Sequence, residues 1–248
     1  GRAVAEVAAR QVKPVVMELG GKSPQIILQD ADMDLAVNGV ISGIFPATGQ
    51  SCISGSRILV HQSQIQNFTE RLINVASRAR VGDPLDPSTQ VGPIANRPHY
   101  DKVHADIENA LTAGAELLLD GRGKGPDQGY YIGPTIFSGV TNDARLAQEE
   151  VFGPVVVMIP YADEDEAVRM ANDTVYGLAA GIWTQDVNKA IRMVDRIHAG
   201  TVYINNYFNA ATQSPVGGFK QSGYGREAGF EGMRCFMQTK SVWLATNP

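Results

Sequence analysis

Cysteine is nearly absent: Cys52 and Cys235 stand alone, 183 positions apart, in 248 residues. That excludes a disulfide framework and zinc-ligand spacing, so no metal site is expected. Free thiols favour a reducing compartment, and a cytoplasmic location is expected. Histidine is scarce as well, and none of His61, His99, His104 and His198 sits in a recognisable Cys-His setting. Basic residues are outnumbered, 21 to 26, and form no cluster. A net charge of -5 therefore argues against a nucleic-acid partner. No apolar run reaches the ~20 residues of a membrane span, so no membrane partner is expected. The opening "GRAVAEVAARQ" lacks the basic start and apolar run of a signal peptide. It also lacks a methionine, and a processed or truncated chain is expected. No G-x-G-x-x-G follows a strand, so the usual dinucleotide fingerprint is missing.

What is present alternates between strand and helix. Residues 2–11 read as a helix with Val4, Val7 and Ala8 on one face, and "VVMEL" (15–19) as a strand. Val37, Val40, Ile41, Ile44 and Phe45 recur at helical spacing until Pro46 kinks or ends that helix. "RILVH" (57–61) is a strand, and Ser63 with Gln66 resembles a capping box for the next helix. A long Pro/Gly loop, "VGDPLDPSTQVGPIANRP", then precedes a helix with Tyr100, Val103, Ile107 and Leu111 on its apolar face. Long loops inside compact domains are often functional. Strands are expected near 115–119, 130–137, 154–160 and at "AAGIWT" and "GTVYIN", with helices over "DEDEAVRMAND" and 186–197. A short helix and a β-rich "MQTKSVWLA" close the chain. This alternation predicts an α/β fold: a mostly parallel twisted sheet with helices on both faces.

Four stretches could carry chemistry. In "GQSCISGSR" (49–57), Cys52 is either a small buried hydrophobe or a nucleophile. Read alone, the stretch gives a buried filler; flanking glycines and a helix-to-strand connection only shift weight toward the nucleophile. Cys235, among apolar residues in "GMRCFMQ", reads as core filler. In "MELGGKSP" (17–24), Glu18 ends a strand, and sites in parallel sheets gather at the carboxyl ends of strands. A solvated glutamate with Lys22 as a surface partner is the plainer reading. "EEVFGP" (149–154) and the glycine-rich "PVGGFKQSGYGRE" (215–227) read, singly, as a turn and a flexible connection.

Order and spacing change this. "ELGGKSP", "GQSC" with Cys52 placed 34 residues after Glu18, "EEVFGPV" and "GGFKQSGYGRE" together resemble the aldehyde dehydrogenase superfamily, over the whole chain. The resemblance implies that Cys52 is the nucleophile. It adds to an aldehyde to give a thiohemiacetal, which loses hydride to NAD or NADP and becomes a thioester. Glu18 would be the general base for the hydrolytic water, and the backbone N–H of Cys52 half of an oxyanion hole. Glu150 would hold the nicotinamide ribose, Phe152 would flank the nicotinamide, and Leu19 would touch the cofactor. Ser51, Ile53 and Phe208 are substrate-pocket candidates. Transfer of the acyl group to coenzyme A is an alternative branch, which Glu18 disfavours.

The resemblance is to the second half of a complete member. It implies an incomplete cofactor-binding domain and the absence of the residue that chooses between NAD and NADP. Residues 1–20 are then a remnant of that domain, 21–220 the catalytic domain, and 221–234 a return to the cofactor side. Residues 235–248 are an oligomerisation strand, so a homo-oligomer, dimer or tetramer, is expected. Two rivals remain: a cofactor-independent thiol esterase or acyltransferase using Cys52, and a non-catalytic truncated chain that oligomerises.

Overall fold

The computed structural model describes residues 1–246. Helix α1 (Arg2–Arg10) leads to β1 (Met17–Glu18), β2 (Pro24–Ile27), α2 (Met33–Ile44) and a 3-10 turn (Pro46–Gly49). Then come β3 (Arg57–His61), α3 (Ile65–Ala76), α4 (Arg97–Thr112), β4 (Glu116–Leu119), β5 (Thr135–Ser138) and α5 (Arg145–Gln148). The chain continues through β6 (Val155–Tyr161), α6 (Glu164–Asn172), β7 (Ala179–Trp183), α7 (Val187–Val194) and β8 (Thr201–Ile204). It closes with β9 (Gly223–Tyr224) and α8 (Gly229–Arg234).

Seven strands form one sheet in the order β4-β5-β6-β3-β2-β7-β8. All its pairings are parallel except β4 with β5 at the edge. Successive residues of a strand point to opposite faces. Ile26, Leu59, Val155 and Val157 accordingly pack with Val103 and Ile107 of α4, Val168 of α6 and Met193 of α7. Ile27, Ile58, Val60, Val156 and Met158 pack with Val40 and Ile44 of α2 and with Phe68 and Leu72 of α3. The expected mostly parallel sheet with helices on both faces is therefore observed. Phe68 is fully buried in the second core. Phe68→Ala is expected to cost about 3–5 kcal/mol in urea unfolding; a loss below about 1 kcal/mol would contradict this packing.

Several expectations need correction. The strand at 15–19 shrinks to Met17–Glu18 and lies outside the large sheet, paired antiparallel with β9 in a two-stranded ribbon. The central strand β2 was not anticipated. "PQII" is buried at every position, so it lacks the alternation that marks a half-exposed strand. The strand expected over 130–137 occupies only Thr135–Ser138. Helix α3 starts behind Gln64 with no side-chain cap, because the Ser63 hydroxyl bonds His61 Nδ1 at 2.8 Å instead. The apolar face of α1 is uncovered, with Val4 and Val7 both 58% exposed. No β-pairing forms over the described part of 235–248, where Phe236 and Trp243 are each 93% exposed. A strand needs a partner ladder, and none lies beside it; residues 247–248 of that expected strand lie outside the described residues. Cys235 sits at the start of this uncovered tail, so it is exposed rather than core filler.

Candidate active site

Three neighbouring parallel strands, β6, β3 and β2, share one feature: each is preceded by one of the motifs. Residues 18–22 lead into β2, the Cys52 turn into β3 and residues 150–154 into β6. The motifs converge because the strands are side by side. They meet at the amino ends of those strands, not at the carboxyl ends that the strand-end reading of Glu18 implied. The connecting bonds are Arg57 N–H to Ser23 O at 3.3 Å and Val157 N–H to Ser56 O at 3.0 Å.

The two glycines after Leu19 allow the closest approaches. Gly21 N–H donates to Glu150 Oε1 at 3.1 Å. A Cβ on Gly21 would lie 2.7 Å from the Cys52 carbonyl oxygen, and one on Gly20 would collide with the Glu150 carboxylate. A side chain at Gly21 would push the first motif away from the Cys52 turn, and one at Gly20 would displace the Glu150 carboxylate. Ser222 ties in the fourth motif: its hydroxyl donates to Gly20 O at 2.7 Å and accepts from Gly177 N–H at 2.9 Å. Its carbonyl accepts from Leu19 N–H at 3.0 Å. The Leu19 side chain itself packs against Gly1.

Cys52 is exposed, on a turn that is half-buried at Ser51 and Ile53. Partial burial pushes its thiol up from the ordinary cysteine value, and the Glu150 and Glu18 carboxylates act in the same direction. The backbone N–H groups of Ile53 and Cys52 oppose this by favouring the thiolate. Burial also raises the Glu18 carboxyl, helped by the like charge of Glu227 and opposed by Arg226. Glu18 Oε1 is buried and has no hydrogen-bond partner. Glu150 is raised by burial too, against the Gly21 N–H, Lys22 and Lys102, which hold it down.

Phe208 is half-buried and stacks edge-on against Tyr207 at 5.6 Å. Tyr207 supplies the link to the nucleophile: its hydroxyl donates to Ile53 O at 2.8 Å. Burial raises this phenol, which therefore stays a donor. Phe152 is 37% exposed beside Glu150. Sequence reasoning missed Tyr207, because an aromatic after a strand carries no signal beyond packing. It also misplaced Lys22, which is only 2% exposed and lies between Gly21 and β2. Among the described residues no group of three or more His, Cys, Asp or Glu is placed to hold a metal ion. No described helix is long and apolar enough to cross a membrane.

Burial lowers the Lys22 amine from 10.5 to about 7, and the Arg57 cation adds to this. The folded state therefore releases this proton before the unfolded state does. Between those two values the unfolded chain binds the extra proton, so stability rises with pH through the window. Lys22→Met is expected to flatten that rise in urea midpoints; an unchanged slope would show that Lys22 does not cause it.

The sequence profile of the aldehyde dehydrogenase family matches residues 1–242. A betaine aldehyde dehydrogenase of Brucella anthropi is 44% identical over 247 residues, covering 98% of this chain and 51% of that protein. Its counterpart in Brucella melitensis is 41% identical over the same span. An NAD+ complex of a Bacillus cereus aldehyde dehydrogenase superposes with a TM-score of 0.97 at 38% identity. It covers 100% of this chain and 50% of that one. An NAD-dependent aldehyde dehydrogenase of Sinorhizobium meliloti gives 0.95 at 42% identity, covering 98% and 48%. The chain thus spans about half the length of the relatives it matches. Profile, relatives and superposition agree with the convergence of the motifs, and the chain belongs to the aldehyde dehydrogenase family.

Proposed function

We propose that this chain supplies the nucleophile and general base of an NAD(P)-dependent oxidation of an aldehyde to a carboxylic acid. The observation that carries the reading is the meeting of Cys52, Glu18 and Glu150 at the amino ends of three adjacent strands. The Cys52 sulfur adds to the aldehyde carbon, and the carbonyl oxygen takes the charge beside the Cys52 backbone N–H. The thiol proton passes to solvent, directly or by way of Glu18, which is again a carboxylate before hydrolysis. A nicotinamide held by Glu150 and Phe152 would supply the two-electron acceptor that the change from thiohemiacetal to thioester requires. Glu18 then takes a proton from water, the resulting hydroxide attacks the thioester carbonyl, and the C–S bond breaks to free the acid and the thiolate.

The residues fit such a cofactor. Gly21 occupies only one Glu150 oxygen, and the missing Cβ of Gly20 leaves room for that carboxylate, which would hold the nicotinamide ribose. The exposed ring of Phe152 would flank the nicotinamide, with Leu19 on the other side of Gly20. Ser51, Ile53 and Phe208 would line the aldehyde pocket. Betaine aldehyde, the substrate in the relatives' names, is the first to assay. The uncovered residues around Phe236 and Trp243 support a homo-oligomer. The division at residues 20, 220 and 234 fits the pairing of β1 with β9, which joins the proposed remnant to the returning segment.

The test is aldehyde-dependent reduction of NAD or NADP by the full-length enzyme that carries this chain. Turnover with at least one aldehyde is expected. Activity toward esters alone, with no coenzyme reduction by any aldehyde, would favour the thiol esterase.

A further inference from the structure

The long Pro/Gly loop singled out in the sequence has no role in the chemistry above, yet its downstream end touches both reacting loops. We infer that residues 92–102 form a clamp that fixes the spacing between the Cys52 turn and the Glu150–Phe152 loop, with Gln50 and His99 as its positioning residues. The inference rests on the roles proposed for Cys52 and Phe152.

On the nucleophile side, the Thr48 hydroxyl donates to Gly92 O at 3.0 Å. The Gln50 amide nitrogen donates to Pro93 O at 3.4 Å and to Ala47 O at 3.3 Å. Its amide oxygen accepts from Ala95 N–H at 2.9 Å. One residue further, Asn96 caps α4 by accepting from His99 N–H at 2.9 Å. On the cofactor side, His99 Nε2–H donates to Phe152 O at 2.6 Å, and its ring meets the Phe152 ring edge-on at 5.8 Å. One turn along, Lys102 Nζ donates to Glu150 O at 3.2 Å and Val151 O at 3.1 Å. Ile94 N–H donates to Tyr130 O at 2.8 Å and anchors the clamp from behind.

Both clamped loops hold conformations that an unsupported chain avoids. Ala47, Thr48 and Gly49 have φ of 52°, 57° and 67°, and Phe152 has 59°. Left-handed non-glycine residues persist only where their surroundings over-determine them, and they cluster at functional sites. The two strained segments also touch directly, since Gly49 leaves no room for a Cβ against the Gly153 carbonyl. The clamp accounts for the glutamine of "GQSC" and for a histidine with no place in the proton chemistry.

The test uses the full-length enzyme and two readouts besides turnover: NADH affinity by fluorescence titration and the rate of Cys52 alkylation by iodoacetamide. His99→Ala is expected to weaken NADH binding about 10- to 100-fold while alkylation stays within about twofold. His99→Gln, which keeps an N–H donor, should restore affinity. Gln50→Ala should do the reverse, slowing alkylation about tenfold or more and leaving NADH affinity within about twofold. In coenzyme reduction the double variant should lose less than the product of the two single losses, because both act on one spacing. Equal movement of both readouts in each single variant, or of neither, would overturn the clamp, as would failure of His99→Gln to outperform His99→Ala. If the unaltered enzyme binds no NADH, the functional reading fails, and the Gln50 alkylation result alone then decides whether the nucleophile side is clamped.

Discussion

Cys52→Ala in the full-length enzyme is expected to lower kcat for aldehyde oxidation about 10^4-fold or more. No other group among the described residues can replace it. Cys235 lies on the uncovered tail, where its sulfur faces the carbonyls of Arg226 at 3.6 Å and Glu231 at 3.5 Å. Two of the four histidines are engaged elsewhere, His99 by Phe152 O and His61 by Ser63. Loss of the thiol removes the covalent intermediate itself, so the deficit should persist at saturating substrate, while NADH affinity should change little. Because burial and two carboxylates raise the thiol, the acylation step should also quicken with increasing pH as the thiolate forms. A variant that keeps more than a few per cent of coenzyme reduction would remove Cys52 from the chemistry.

Glu18→Gln is expected to slow steady-state turnover about 10^2- to 10^4-fold, the range for loss of a positioned general base. The two variants should differ in their transients. Without Cys52 no coenzyme is reduced, whereas without Glu18 a first burst of reduction should survive and the thioester should accumulate. The reason lies in the placement of Glu18. It is held in the β1–β9 ribbon, across Gly20 and Gly21 from Cys52, with a buried oxygen free to take a proton. Its pH dependence has a definite sign. The carboxyl is raised by burial and by Glu227, and only the carboxylate can act as base. The acidic limb of hydrolysis should therefore lie above the ordinary carboxylate range, with activity rising as pH passes through the shifted value. An acidic limb within the ordinary range would show that Glu18 is solvated during turnover.

Much of this was legible in the sequence, and the gaps have physical causes. Amphipathic periodicity marked α2, α3 and α4, because each buries one face against the sheet. It could not mark β2, which is buried at every position and carries no alternation. The motifs around Glu18, Cys52 and Glu150 were readable as local patterns, but their meeting was not. That depends on the adjacency of β6, β3 and β2, a long-range pairing that no local window contains. Lys22 looked like a surface residue because lysine usually is one; two preceding glycines and β2 draw it inside. Gln50 and His99 bond across 43 to 53 positions to groups on the backbone, and backbone carbonyls leave no mark in a sequence.

The most direct test of the central claim is mass spectrometry of peptides from the full-length Glu18→Gln variant, quenched after mixing with NAD and an aldehyde that the unaltered enzyme oxidises. The account predicts the acyl mass on the peptide that contains Cys52, growing in step with the burst of reduced coenzyme and absent from the peptide that contains Cys235. An unmodified Cys52 during a full burst, or acylation at another residue, would contradict it.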